Sequence, residues 1–386
     1  MMLLNTAVLR RAFVSRAESI IRGLLEQSGI AVGGDAPHDI TVHDDRFYTR
    51  TLRDGSLGFG ESYVEGWWDS PALDETIARI QAAGTDEKLP VWAGSLLSLR
   101  ARVQNLQSRS RAPEVGRRHY DVGNDLYRAM LDSRMAYTCA YWPPGEEDLD
   151  LDAAQEAKLE MVCRKIQLRP GMKVLDLGCG WGCFARYAAE RHGAEVTGFT
   201  ISERQVELGR ELCAGLPVEL HFDDYRNARG QYDAVISIGI MEHVGPRNYR
   251  TYMEVVDRCL VADGVGFIHT IGGNFSRDHM EPFMNRYIFP NAVLPSLSQM
   301  SRAMERLFVV EDVHNIGPHY DRTLMSWWRR FDAAWPNLRG QYGDRFYRIW
   351  KYYLLACAAI FRTRQAQLFQ VVFTRPPTPQ PPRRLS

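Results

Sequence analysis

From about residue 150 onward, short apolar runs and amphipathic stretches alternate along the chain. Residues 173–178 read as a buried strand and 184–191 as a helix; 195–199 is a second strand, and 202–213 a second helix with Ser202 at its N-cap. Residues 218–222, 233–237 and 265–269 continue the series. Strands alternating with helices predict a parallel sheet covered on both faces, a doubly wound α/β fold. Near the end, 307–313 and 366–374 are again strand-like, with helical, aromatic-rich sequence between them. This suits a closing antiparallel pair interrupted by an inserted helical cap, making seven strands in all.

The first hundred residues follow a different pattern. Phe13, Ala17, Ile20, Ile21, Leu24 and Leu25 recur at helical spacing, and 40–42 resembles a short strand. The aromatic, glycine-rich stretch 55–68 fits neither period and is assigned no element. It ends in Trp67 and Trp68, which either pack in a core or meet an apolar surface. Three zones follow: a smaller, mostly helical amino-terminal domain (1–108), a larger α/β domain (109–374), and a proline-rich tail expected to be disordered (375–386).

Charge narrows the partners. The 47 basic and 47 acidic residues cancel, so the molecule as a whole is no polyanion binder. Basic residues gather only between 100 and 118, where Arg100, Arg102, Arg109, Arg111, Arg117 and Arg118 face a single acid, Glu114. That segment is a solvated face or a patch for anionic headgroups, and it is too narrow for a nucleic-acid-binding surface. The seven cysteines include no CxxC pair, which argues against a disulfide frame or a zinc site. The start lacks a positive charge before its short apolar run, so no secretory signal is expected. The longest apolar run, 352–361, is half the roughly twenty residues a bilayer span needs. The expectation is a cytoplasmic protein that meets the inner face of the membrane peripherally.

The strongest local signal is the run Asp176, Leu177, Gly178, Cys179, Gly180, Trp181 and Gly182, at the carboxyl end of the first sheet strand. Glycines there let a ligand approach the backbone, at the edge where doubly wound sheets bind ligands. The GxGxG spacing is one residue short of a dinucleotide fingerprint. It looks like motif I of class I methyltransferases, whose glycines border S-adenosylmethionine. Many such enzymes hold the ribose with an acid after the second strand. Here that point carries Thr200, Ile201 and Gln205, and Gln205 is the expected ribose contact. Asp224 is placed to accept from the adenine amino group, and Tyr225 to pack on the base.

The segments 119–125 (HYDVGND), 137–142 (YTCAYW), 241–245 (MEHVG), 268–272 (IHTIG), 287–291 (YIFPN) and 60–68 (GESYVEGWW) resemble those of bacterial cyclopropane-fatty-acyl-phospholipid synthases. The likeness runs from about residue 10 to residue 374. It implies transfer of a methyl carbon from S-adenosylmethionine to the cis double bond of unsaturated phospholipids, through a carbocation deprotonated by bound bicarbonate. By the same resemblance, Tyr137 and Thr138 contact the methionine part of the co-substrate, and His119 and Tyr120 line that entrance. The bicarbonate cage is Glu242, His269 and Tyr320 through side chains, with the backbone amides of Cys139 and Ile271. Tyr287 and Phe289 supply aromatic faces, and Cys357, which the alkene chemistry gives no covalent task, lines the acyl tunnel. The resemblance also makes 109–374 the catalytic domain and 1–108 a domain for lipid docking or dimerisation; no metal is implied, and a homodimer is left open. Two alternatives stand: the same site yielding a methyl- or methylene-branched chain, and a non-catalytic lipid- or cofactor-binding adaptor.

Overall fold

The computed structural model describes residues 2–85 and 123–380, with side chains in the first helix from Ser15 onward. The side chain of Phe13, Arg100, Arg102, Arg109, Arg111, Glu114, Arg117, Arg118, His119 and Tyr120 lie outside the described residues, as does the 108/109 boundary.

The amino-terminal zone holds α1 (Met2–Gln27), β1 (Thr41–Val42), α2 (Arg46–Val64), β2 (Trp68–Asp69) and α3 (Leu73–Ala82). After it come α4 (Asn124–Met130), α5 (Leu151–Lys165), β3 (Lys173–Leu177), α6 (Cys183–His192), β4 (Glu195–Thr200), α7 (Glu203–Leu212) and β5 (Val218–Phe222). The chain goes on through β6 (Tyr232–Ile238), α8 (Met241–Val244), α9 (Tyr249–Cys259), β7 (Leu260–Gly273), α10 (Pro282–Tyr287), α11 (Leu297–Met304), β8 (Val309–Asn315), α12 (Pro318–Arg362) and β9 (Ala366–Thr374).

Seven strands form one sheet in the order β5-β4-β3-β6-β7-β9-β8. Neighbours from β5 to β7 pair in parallel, whereas β9 runs antiparallel between β7 and β8. This is the seven-stranded class I methyltransferase sheet. Alternation on the central strands is two-sided: Leu175, Val235 and Ile268 enter one apolar core, while Val174, Ile236 and Phe267 enter the core on the opposite face. Burial on both faces explains the nearly unbroken apolar runs. The predicted N-cap holds, since the Ser202 side chain accepts from the Gln205 amide.

The cap is mostly α12, which breaks at Gly343 (φ 75°, ψ 159°) and doubles back as a helical hairpin. Tyr320 meets Phe361 with ring centroids 4.6 Å apart, Phe331 meets Tyr347 at 5.8 Å, and Arg362 clasps both oxygens of Asp321 at 3.0 Å.

Helix now occupies most of the glycine-rich stretch. Gly55 (φ 60°) kinks α2, and Gly60 brings it against the cap: a Cβ there would sit 2.5 Å from Phe283 and 3.0 Å from Tyr352. Trp68 is fully buried, and its indole donates to the Phe59 carbonyl at 3.1 Å. Docking by Trp68 is therefore excluded, and core packing is its role. Trp67 is half-buried beneath the Arg46 guanidinium, 4.4 Å from its ring. Ala17, Ile21 and Leu25 bury one stripe of α1 in the same core as α12. Beyond β9, Arg375 is held by Asp257 at 2.9 Å.

Candidate active site

Where β3 ends, the backbone must turn sharply into α6, and three glycines take left-handed conformations: Gly178 (φ 91°), Gly180 (φ 55°) and Gly182 (φ 77°). A side chain is strained at such angles, and at Gly178 a Cβ would also lie 3.0 Å from Ile240. The amides of Gly178 and Cys179 both donate to the Phe199 carbonyl at 2.9 Å, drawing the turn beneath the end of β4. Above it lies a cleft lined by Tyr137, Thr138, Asp176, Gly178, Cys179, Gly180, Trp181, Thr200, Ile201, Gln205, Asp224 and Tyr225. Of the described residues expected around the co-substrate, only Gly182 is not on this lining. It caps α6 instead, where a Cβ would press on Cys213 Sγ at 3.0 Å.

At the β4 end, Thr200 Oγ1 donates to Gln205 Oε1 at 2.9 Å, which orients the Gln205 amide beside Gly180. Asp224 is more constrained than expected. Arg226 holds its two oxygens at 2.8 and 2.7 Å, so any adenine contact must share an engaged carboxylate. Tyr225 packs against Tyr252 with centroids 5.6 Å apart.

The opposite wall is set by α5. Gln155 donates to the Thr138 carbonyl at 2.8 Å, and Lys158 donates to Thr138 Oγ1 at 2.9 Å. Tyr137 shares a 2.7 Å hydrogen bond with Tyr353 on the cap. Burial pushes the Asp176 carboxyl up to about 7, opposed by nearby Lys158, and its Oδ1 is buried without a hydrogen-bond partner among the described residues.

Next to the cleft, β6 stops at Ile238 while β7 runs on, because β9 keeps pairing with it as far as Gly273. His269 thus lies within β7, opposite Ile238 and Gln370, rather than just beyond a strand end. The Gln370 amide nitrogen lies 3.2 Å from His269 Nδ1, and this leaves the imidazole proton on Nε2, a buried atom without a partner among the described residues. Burial, aided by Lys158 and Lys165, holds the His269 pKa well below its ordinary value, so the ring is neutral.

Two residues along β7, the Ile271 amide donates to Glu242 Oε1 at 2.6 Å. That amide, expected to reach a bound anion, is engaged by Glu242 in this structure. Glu242 Oε2 is buried with no partner among the described residues, and burial raises this carboxyl to about 7. Cys139 and Tyr320 approach through α12. Thr323 accepts from the Ala140 amide at 3.1 Å and lies 4.0 Å from Cys139 Sγ. Ile316, just before α12, donates to the Leu368 carbonyl beside Gln370. Tyr320 stands on Phe361 and edge-on to Trp327.

Phe289 packs edge-on to Tyr353 at 5.6 Å and near His243 at 6.1 Å, whereas Tyr287 turns its hydroxyl to Glu61 at 2.8 Å. Burial lifts the Cys357 thiol to about 12, so it is no nucleophile at neutral pH. Sequence reasoning missed Lys158, Gln370 and Tyr353. Only Lys158 left a signal: it shares the buried stripe of α5 with Leu151, Ala154 and Val162, where a lysine is out of place.

A family model described as mycolic acid cyclopropane synthetase matches residues 107–371. The chain is 48% identical over 357 residues to the cyclopropane-fatty-acyl-phospholipid synthase of Escherichia coli K12, covering 92% of this chain and 93% of that one. It is 32% identical to the sphingolipid C9-methyltransferase of Komagataella phaffii, over 88% of this chain and 74% of the other. Among solved structures, a mycolic acid cyclopropane synthase complexed with SAH and CTAB superposes with a TM-score of 0.65 at 29% identity, covering 70% of this chain and all of that one. The cyclopropane synthase MmaA2 of Mycobacterium tuberculosis gives 0.64 at 26% identity, over 68% of this chain and 98% of the other.

Proposed function

The chain belongs to the cyclopropane-fatty-acyl-phospholipid synthase family, and from that membership we propose that it adds the methyl carbon of S-adenosylmethionine across the cis double bond of unsaturated phospholipid acyl chains, closing a cyclopropane ring. The co-substrate supplies an electrophilic methyl group. The residues present suit it, with a glycine turn that leaves the backbone open and an orphaned Asp176 oxygen in the cleft.

An alkene can attack a sulfonium methyl without prior deprotonation, so no enzymic nucleophile is required. The raised thiols of Cys139 and Cys357 agree with that. Attack leaves a cation on the acyl chain, and the ring closes when one proton leaves the added methyl. The protein has to exclude water, offer electron-rich faces to the cation, and hold a base. Tyr137, Tyr353, Phe289, Trp327 and Tyr320 form the aromatic wall that serves the first two needs.

One observation carries the third: Glu242 Oε2 and His269 Nε2 are both buried and both lack a partner among the described residues. A carboxyl raised to about 7 and a neutral imidazole protonated on Nε2 are two donors. Donors without acceptors fit a small anion, and bicarbonate held by them would supply the base. Access to the lipid is by surface docking, since no helix among the described residues is long and apolar enough to cross a membrane.

The test incubates the protein with methyl-labelled S-adenosylmethionine and unsaturated phospholipid vesicles, then analyses the fatty acids by mass and proton spectra. Ring protons are expected; branched or methylene products would move the reading to the alternative outcome of the same cation. No response to added bicarbonate after rigorous depletion would remove the anion.

A further inference from the structure

Lys158 is 1% exposed, yet it lies on the cleft lining rather than in a sealed core. An ammonium group has three N–H donors and no acceptor. One donor goes to Thr138 Oγ1 at 2.9 Å, and no other hydrogen bond engages Lys158 among the described residues. Among the described residues no salt bridge neutralises its charge: of the two buried carboxyls that feel it, Asp132 is taken up by the Arg134 and Ala136 amides, whereas Asp176 carries no hydrogen bond at Oδ1 and is raised to about 7 by burial. A buried cation and a buried acid thus face one cleft side by side without joining. Separated, each remains costly; together they match a zwitterion.

We infer that Lys158 binds the α-carboxylate of the methionine part of S-adenosylmethionine, directly opposite the α-ammonium that falls to Asp176. This deepens the proposed function and rests on that co-substrate. The arrangement follows from α5: Gln155, one turn earlier, holds the Thr138 carbonyl, so the helix pins the 136–138 segment and presents Lys158 through it. Thr138 is then a second donor to the same carboxylate, kept in place by the lysine.

The decisive probe is decarboxylated S-adenosylmethionine, which keeps the sulfonium and the amine and lacks only the carboxylate. Calorimetry on the full chain compares both ligands with wild type, Lys158→Met and Lys158→Arg. Wild type should prefer the intact ligand on the order of tenfold to a hundredfold, the range of a hydrogen bond to a charged group. Lys158→Met should lose that preference, binding the decarboxylated ligand within about twofold of wild type, and Lys158→Arg should keep part of it. If wild type binds the two ligands alike, or if Lys158→Met weakens both equally, the lysine is a structural prop and the inference falls. The wild-type comparison stands even if the methionine variant fails to fold. Wild type that binds neither ligand would instead overturn the co-substrate itself.

Discussion

Gln370 approaches His269 from the neighbouring strand, its amide nitrogen 3.2 Å from Nδ1, and so decides which imidazole nitrogen carries the proton. Gln370→Glu would place a carboxylate there, draw the proton to Nδ1 and turn Nε2 into an acceptor. Turnover should fall at least about tenfold, with S-adenosylhomocysteine affinity within about twofold of wild type. Steady-state rates alongside calorimetry check both. Unchanged turnover would mean that Nε2 does not donate to anything in the reaction.

Glu242 gives the pH dependence a definite sign. Its carboxyl rises from an ordinary 4.5 to about 7, so the folded state binds the extra proton between those values. Stability should therefore fall as pH climbs from about 4.5 to about 7, by on the order of 3 kcal/mol. Above that window the donor at Oε2 is lost, and turnover should fall too. Glu242→Gln should cut turnover strongly with S-adenosylhomocysteine affinity within a few fold of wild type, yet melt higher than wild type at pH 8, because its side chain carries no titrating proton. A thermal series from pH 4.5 to 8.5 on both proteins measures the crossing.

Glu61 joins α2 to the cap, accepting from Tyr287 at 2.8 Å, from Arg286 at 3.1 Å and from Arg50. Glu61→Gln should cost about 1–3 kcal/mol, since it weakens buried charge-assisted bonds. Combined with Tyr287→Phe it should show a coupling of about 1 kcal/mol in denaturant unfolding. Strict additivity would mean that the two residues merely lie side by side.

With Trp68 committed to the core and Trp67 beneath Arg46, the proposed surface docking falls to charge. Replacing Arg109, Arg111, Arg117 and Arg118 by glutamine should weaken sedimentation with anionic vesicles and flatten its salt dependence, because the Debye length is only about 8 Å at physiological strength. S-adenosylhomocysteine affinity should not change. Wild-type sedimentation across a salt series would make these arginines a solvated segment.

Local patterns announced the sheet, the Ser202 cap and the glycine turn, because two-sided burial writes long apolar runs and turns write glycines. Features set by distant contacts were harder to read. The 55–68 stretch lacks a helical signature because Gly58 and Gly60 are chosen for close approach: a Cβ at Gly58 would lie 2.3 Å from the Arg50 carbonyl. Asp224 was legible as a cleft residue, but its Arg226 clasp was not. Gln370 sits among apolar neighbours on β9 with nothing to distinguish it until the sheet closes beside His269.

The placement of β9 also sets a birth order. A chain leaving the ribosome can stack its parallel strands one by one. The slot between β7 and β8 stays open until the last described strand arrives, after the whole hairpin of α12. Until then β7 has a bare edge, and the histidine on it has no neighbour to choose its tautomer. A messenger cut short after codon 365 would encode Glu242, His269, Tyr320 and the entire glycine turn, and still yield a sticky, inactive product. The proposed centre is thus completed by the last described strand, the one that closes the sheet beside its histidine.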